Sequence, residues 1–180
     1  ETPQFFNAPE GNSPNIVNSA SYRVIPFPAE SPIHAGGAHA LRNNPWLSAP
    51  GDATTLKWHN NGLIDFNFTR GNNVWSQEDR NGNNGTGIPA TSPIGPDPLA
   101  FDFVPNFTVA PNQQFSTTNL FYWNNIIHDL SYVYGFDEVS GNFQTSNIGR
   151  GGQENDLVFA DAQDGGGTNN ANFSTPSDGG

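Results

Sequence analysis

Apolar and polar positions alternate in two short runs of the chain. In "LIDFNFTR", Leu63 to Arg70, Ile64, Phe66 and Phe68 fall on one face and Asp65, Asn67 and Thr69 on the other. In "LAFDFV" before Pro105, Leu99, Phe101 and Phe103 share a face. Period-two alternation predicts half-buried strands. "SYRVIPFP", Ser21 to Pro28, predicts a strand cut off by prolines. "VWSQED" after "GNN" predicts the return strand of a hairpin. "LVFAD", Leu157 to Asp161, predicts another short strand, and an edge strand is expected near Asn170 to Phe173. Neighbouring strands of this kind are expected to pair antiparallel.

The periodicity changes once. Leu120, Trp123, Ile127, Leu130 and Tyr134 repeat at helical spacing and form one apolar stripe. The spacing predicts a helix from Thr118, capped by Ser116, Thr117 or Thr118 and ended by a left-handed Gly135. Long stretches between these elements, Glu30–Asp52 and Asn81–Pro98 among them, are rich in turn residues. Trp46 is expected to pin the first of them to the body. Residues 1–20 read as a polar, extended arm. No internal repeat is present. The pattern predicts a loop-rich α+β domain with a twisted, antiparallel-rich sheet and one main amphipathic helix.

A chain of 180 residues suits one domain or a large piece of one. Its aliphatic content is low, but 14 Phe, 4 Trp and 4 Tyr supply buried area and argue for a folded protein. The net charge of −11 is hostile to nucleic acid and to anionic membrane surfaces. It suits extracellular solubility and hard cations. No apolar run is long enough to span a bilayer. With no cysteine there is no disulfide, thiolate nucleophile or Cys-based zinc site. The chain starts at Glu1 without a signal-peptide pattern and reads as processed or excised. Four N-x-S/T sequons, at Asn67, Asn84, Asn106 and Asn172, matter only if a eukaryotic secretory pathway made the chain.

Candidate chemistry is sparse. Asn124 and Tyr132, four positions either side of His128, are poor zinc ligands. Asp129 points about 100° away from His128 on a helix, so it is not expected to orient that ring. His128 is therefore read as structural. His34 and His39 lie in a glycine-rich loop too flexible for a strong site unaided, and His59 reads as a turn residue beside Trp58. Asp79, Asn81 and Asn83 place oxygens at alternating positions and partly resemble a calcium loop. Ala90 stands where the twelfth-position Glu should be, so an Asn/Gly turn is favoured. No H-E-x-x-H occurs, and no nucleophile elbow supports a Ser-His-Asp set.

"TNLFYWNNIIHDLSYVYGFDEVSGNFQ", followed by "GRGGQENDLVFADAQDGGGTNNANFSTPSDG", resembles the fungalysin family of secreted zinc metallopeptidases. "WHNNG", "TRGNN" and "SYRVIPFP" upstream match the same pattern. The resemblance implies that residues 21–180 are the N-terminal portion of a thermolysin-like catalytic domain, near a propeptide boundary. It implies a secreted, extracellular endopeptidase acting on proteins and peptides. The zinc ligands, two His and a Glu, are expected downstream of this chain. This chain would then supply scaffold, need the downstream portion as partner, and be inactive alone. It also implies that Asn169, Asn170 and Ala171 form a substrate-binding edge strand, where a peptide adds to free backbone groups. Composition alone leaves open a rival: a non-catalytic, β-rich module binding glycan or peptide through exposed Trp46, Trp58 and Trp75.

Overall fold

A computed structural model describes residues 16–85, 87–109, 112–168 and 171–180. Among the described residues five strands and one long helix form: β1 Ala20–Val24, β2 Ala40–Asn43, β3 Val74–Glu78, β4 Leu99–Phe101, α1 Gln113–Val133 and β5 Val158–Ala162. A single 3-10 turn spans Pro45–Ser48. One sheet has the order β2-β1-β4 and the other pairs β3 with β5. The domain is α+β as expected. Its ladders are mixed rather than antiparallel-rich. β1 runs antiparallel to β2, but β1–β4 and β3–β5 are both parallel. Long connections separate the paired strands, and the α1 crossover lies between β3 and β5, which permits parallel pairing.

Leu63–Arg70 is not a strand. Only isolated bridges form here, Asn60 to Asp65, Phe68 to Thr91 and Arg70 to Trp75. The Asn61 side chain accepts the amides of Leu63 and Ile64, and Asn60 accepts that of Gly62. These local bonds compete with a ladder, and Leu63 and Ile64 stay exposed. The hairpin expected at "GNN" survives as a turn: Gly71 donates to the Val74 carbonyl and Ser76 to that of Thr69. The strand β3 then finds its ladder with β5.

The core is aromatic. Tyr22, Trp58, Phe101 and Phe121 are fully buried with Leu99, Val24 and Val74. Trp46 does pin its loop, packing edge-on against Trp58 with ring centroids 6.0 Å apart. The N-terminal stretch is tied down from Val17: Asp65 accepts its amide, and Asp97 accepts those of Asn18 and Ser19.

Helix α1 starts five residues before Thr118. Asn112 occupies the cap position without a side-chain cap bond; its amide turns to the Asn106 and Val109 carbonyls. Thr117 and Thr118 are buried inside the helix rather than capping it. Gly135, at φ +94°, ends the helix as expected. The buried residues are Phe115, Thr117, Thr118, Phe121, Tyr122, Asn125 and Asp129. The apolar stripe read from the sequence lies elsewhere: Ile127, Leu130 and Tyr134 are exposed.

Candidate functional site

The helix buries polar residues because loops bring donors to them. Asn125 donates to the Phe121 carbonyl at 2.9 Å and accepts from the Asn73 amide at 3.1 Å. The Asp129 Oδ2 accepts the Trp58 indole N–H at 3.1 Å, and its Oδ1 meets His128 Nδ1 at 3.0 Å. Asp129 therefore does orient His128, contrary to expectation. Their Cβ directions diverge, but each side chain reaches far enough for the polar heads to meet. Burial pushes the Asp129 carboxyl up, opposed by its bonds to His128 and Trp58. His128 Nε2 is buried without a partner among the described residues.

His59 lies in a turn, but at the centre of the core rather than at the surface. Its ring stacks on Phe101 and Phe121, with centroids 5.1 and 5.0 Å away. Nδ1 lies 3.1 Å from the Phe68 carbonyl, which can only accept, so Nδ1 carries the proton. Nε2 then accepts from the Tyr22 hydroxyl at 2.8 Å. Burial lowers the imidazole to about 3, against weaker support from backbone groups of Phe68 and Arg70.

His34 is exposed, and His39 packs against the rings of Phe107 and Phe115. Among the described residues no three His, Cys, Asp or Glu side chains converge on a metal position. The described residues thus do not form a zinc centre.

Of the calcium candidates, Asp79 is buried while Asn81 and Asn83 are exposed. The Asp79 carboxylate accepts the amides of Asn83 and Asn84, at 3.2 and 2.7 Å. The Asn83 oxygen accepts the Gly85 amide. These oxygens hold the Asn/Gly turn itself. Burial raises the nearby Asp161 carboxyl, and the charges of Asp79 and Asp164 add to the rise.

Of the substrate-strand candidates, Asn169 and Asn170 lie outside the described residues. Ala171 is exposed, and Ala171–Pro176 carry no strand assignment. The segment follows β5, whose described ladder is with β3 alone. It is anchored at its far end, where Asp178 accepts the Gln153 amide and Gly179 donates to Asp156.

Three buried asparagines and two ion pairs organise the surroundings, none singled out by the sequence reading. Asn72 grips Ser146 twice, donating to its carbonyl and accepting its amide, both at 2.8 Å. Asn147 donates to the Gly151 and Gln153 carbonyls, and Asn142 donates to Gln144. Arg150 bonds Glu138 and reaches across to Asp52. The Asn doublet in "TRGNN" is the sequence signal for Asn72; nothing comparable marks Asn142 or Asn147. Trp46 and Trp58 are buried and Trp75 is half-buried beneath Arg70 and Phe159. The exposed aromatic surface required by the glycan- or peptide-binding module is therefore not formed by them.

A family described as "Fungalysin metallopeptidase (M36)" matches residues 21–180. "Extracellular metalloproteinase 2" of Trichophyton tonsurans is 40% identical over 170 residues, covering 93% of this chain. The protein of the same description in Arthroderma gypseum is 39% identical over 172 residues. "Extracellular metalloproteinase 3" of Trichophyton tonsurans is 39% identical over 171. The alignments cover 93% of this chain but 26% of each relative, so the chain spans about a quarter of the length of these curated relatives.

Proposed function

The chain belongs to the fungalysin metallopeptidase family, and on that premise we propose that it is the scaffold portion of a secreted, zinc-dependent endopeptidase. The observation that carries this is the family match from residue 21 to 180. In this reading, residues 21–180 are the N-terminal part of a thermolysin-like catalytic domain, and residues 1–20 the arm at a propeptide boundary. The zinc ligands and the general base come from the part of the family polypeptide outside this sequence. The relatives' description as extracellular supports secretion, and no helix among the described residues is long and apolar enough to cross a membrane. Calcium at Asp79 is the weaker part of the reading, because that carboxylate already serves two amides.

Asn169, Asn170 and Ala171 are the substrate strand. A peptide laid beside them exchanges backbone N–H and C=O bonds, which favours protein substrates without fixing their sequence. What supports this is position: an exposed segment following β5 and anchored beyond it at Asp178. Ala171→Pro in the full-length polypeptide removes one backbone donor. Casein hydrolysis abolished by a chelator, with kcat/KM reduced about tenfold by this substitution, is the expected result. Full-length protein without proteolysis would overturn the peptidase reading. Unchanged kcat/KM in Ala171→Pro would overturn the strand assignment alone.

A further inference from the structure

Arg70 carries a charge that no neighbour answers. Its Cζ lies 4.7 Å from the centre of the Phe66 ring and 4.3 Å from that of Trp75. Arg23 pairs with Asp102, and Arg150 with Glu138 and Asp52, but the Arg70 side chain makes no hydrogen bond or ion pair among the described residues. Nε is buried and unpartnered. The side chain as a whole is part-exposed, so its open edge is the pair Nη1 and Nη2. Burial lowers the guanidinium from its ordinary value, and no carboxylate opposes that shift. Ser76 turns toward α1, donating to the Thr117 carbonyl, so its neighbour Trp75 stands on the outer face of β3. There Trp75 lies opposite Phe159 of β5, ring centroids 5.8 Å apart, and Phe159 is 63% exposed.

We propose that Arg70 is a carboxylate-binding site for peptides on the outer face of β3 and β5. Nη1 and Nη2 hold the two carboxylate oxygens end-on, and the exposed Phe159 ring takes the carbon skeleton behind them. An arginine on an open surface is mobile and hydrated. Here two aromatic rings fix the guanidinium by its faces and leave the in-plane donors free. That fork matches a carboxylate bidentately, and a fixed donor set loses less entropy when the ligand arrives. The net charge of −11 works against any acidic ligand, but salt screens it beyond about 8 Å. One charged contact then gives weak binding, with Kd on the order of 1–10 mM. The choice of a peptide as bearer of the carboxylate rests on the peptidase reading; the site itself does not.

The test is arginine modification by phenylglyoxal in the full-length polypeptide, followed residue by residue with peptide mass spectrometry at constant ionic strength. Arg80, exposed and in no ion pair among the described residues, is the reference. The probes are N-acetylphenylalanine, its amide and inorganic phosphate. The acid is expected to slow reaction at Arg70 at least about threefold and to leave Arg80 unchanged. The amide should do nothing. A guanidinium stacked only to hold the fold would show no such dependence, and equal slowing at Arg70 and Arg80 would overturn the site. Protection by the amide as strong as by the acid, or stronger protection by phosphate, would remove the carboxylate as its ligand. An Arg70 that stays unmodified without any probe would also sink the proposal, since its edge is then already covered. Casein hydrolysis is measured on the same samples. Protection of Arg70 by the acid without proteolysis would discard the peptidase reading and leave the carboxylate site standing.

Discussion

The Trp58 indole and the His128 imidazole hold opposite oxygens of one buried carboxylate, that of Asp129, at 3.1 and 3.0 Å. The bond joins the turn before Leu63 to the C-terminal part of α1, residues 71 positions apart. Trp58→Phe keeps most of the ring but strands Asp129 Oδ2. The expected loss is about 2–3 kcal/mol in urea denaturation. Asp129→Asn combined with Trp58→Phe should cost less than the sum of the single changes, because the pair is coupled. Strict additivity would show that the bond contributes nothing.

His59 makes the fold acid-sensitive. Its folded value is lowered to about 3 from an ordinary 6.5. Below pH 6.5 the unfolded chain takes up a proton that the folded chain refuses. Stability is therefore complete above that pH and falls as pH drops toward 3, by about 1.4 kcal/mol per unit. The raised Asp129 carboxyl acts the other way, its cost being relieved on acidification. The check is the urea midpoint between pH 4 and 7, together with the His59 ring proton in NMR. That resonance should not titrate in the folded protein. His59→Gln should remove this contribution to the slope.

Asn72 substitutes for a strand neighbour. Its side chain satisfies both backbone groups of Ser146, and its own carbonyl accepts the Thr145 amide. Asn72→Ala leaves two peptide groups unmatched, an expected cost of about 2–3 kcal/mol. Hydrogen exchange of the 144–150 segment should quicken selectively. Uniform exchange across the chain would mean that the contact is not local.

Gly71 sits where no side chain fits. A Cβ there would lie 1.9 Å from the Trp58 carbonyl oxygen and 2.7 Å from its carbon. Gly71→Ala must push that turn off the core, at about 3 kcal/mol. A thermal midpoint within a degree of the unsubstituted protein would contradict this close approach.

Where the sequence could be read, one physical rule acted alone. Leu99 and Phe101 alternate and are buried, Gly135 stops the helix, and Trp46 pins its loop. The misreadings occur where side-chain hydrogen bonds override hydrophobic pattern. Asn60 and Asn61 capture the amides that would have made Leu63–Arg70 a strand. Asn125 and Asp129 join Phe121 and Tyr122 on the buried face of the helix, because Asn73 and Trp58 arrive from distant loops with donors. Periodicity carries no information about such partners. Parallel pairing was equally hidden, since it depends on where β5 returns after α1. For the candidate site, the substrate strand came from family resemblance alone.

The interior of this domain holds amide side chains as well as hydrocarbon. Asn60, Asn125, Asn142 and Asn147 are fully buried. Exposing apolar surface raises the heat capacity of the unfolded chain, and exposing polar surface lowers it. The heat-capacity change of unfolding should therefore fall below the usual ~12–15 cal/mol/K per residue. A smaller value flattens the dependence of stability on temperature. The domain would then lose stability slowly on either side of its optimum, holding its shape over a broad range rather than peaking sharply within a narrow one.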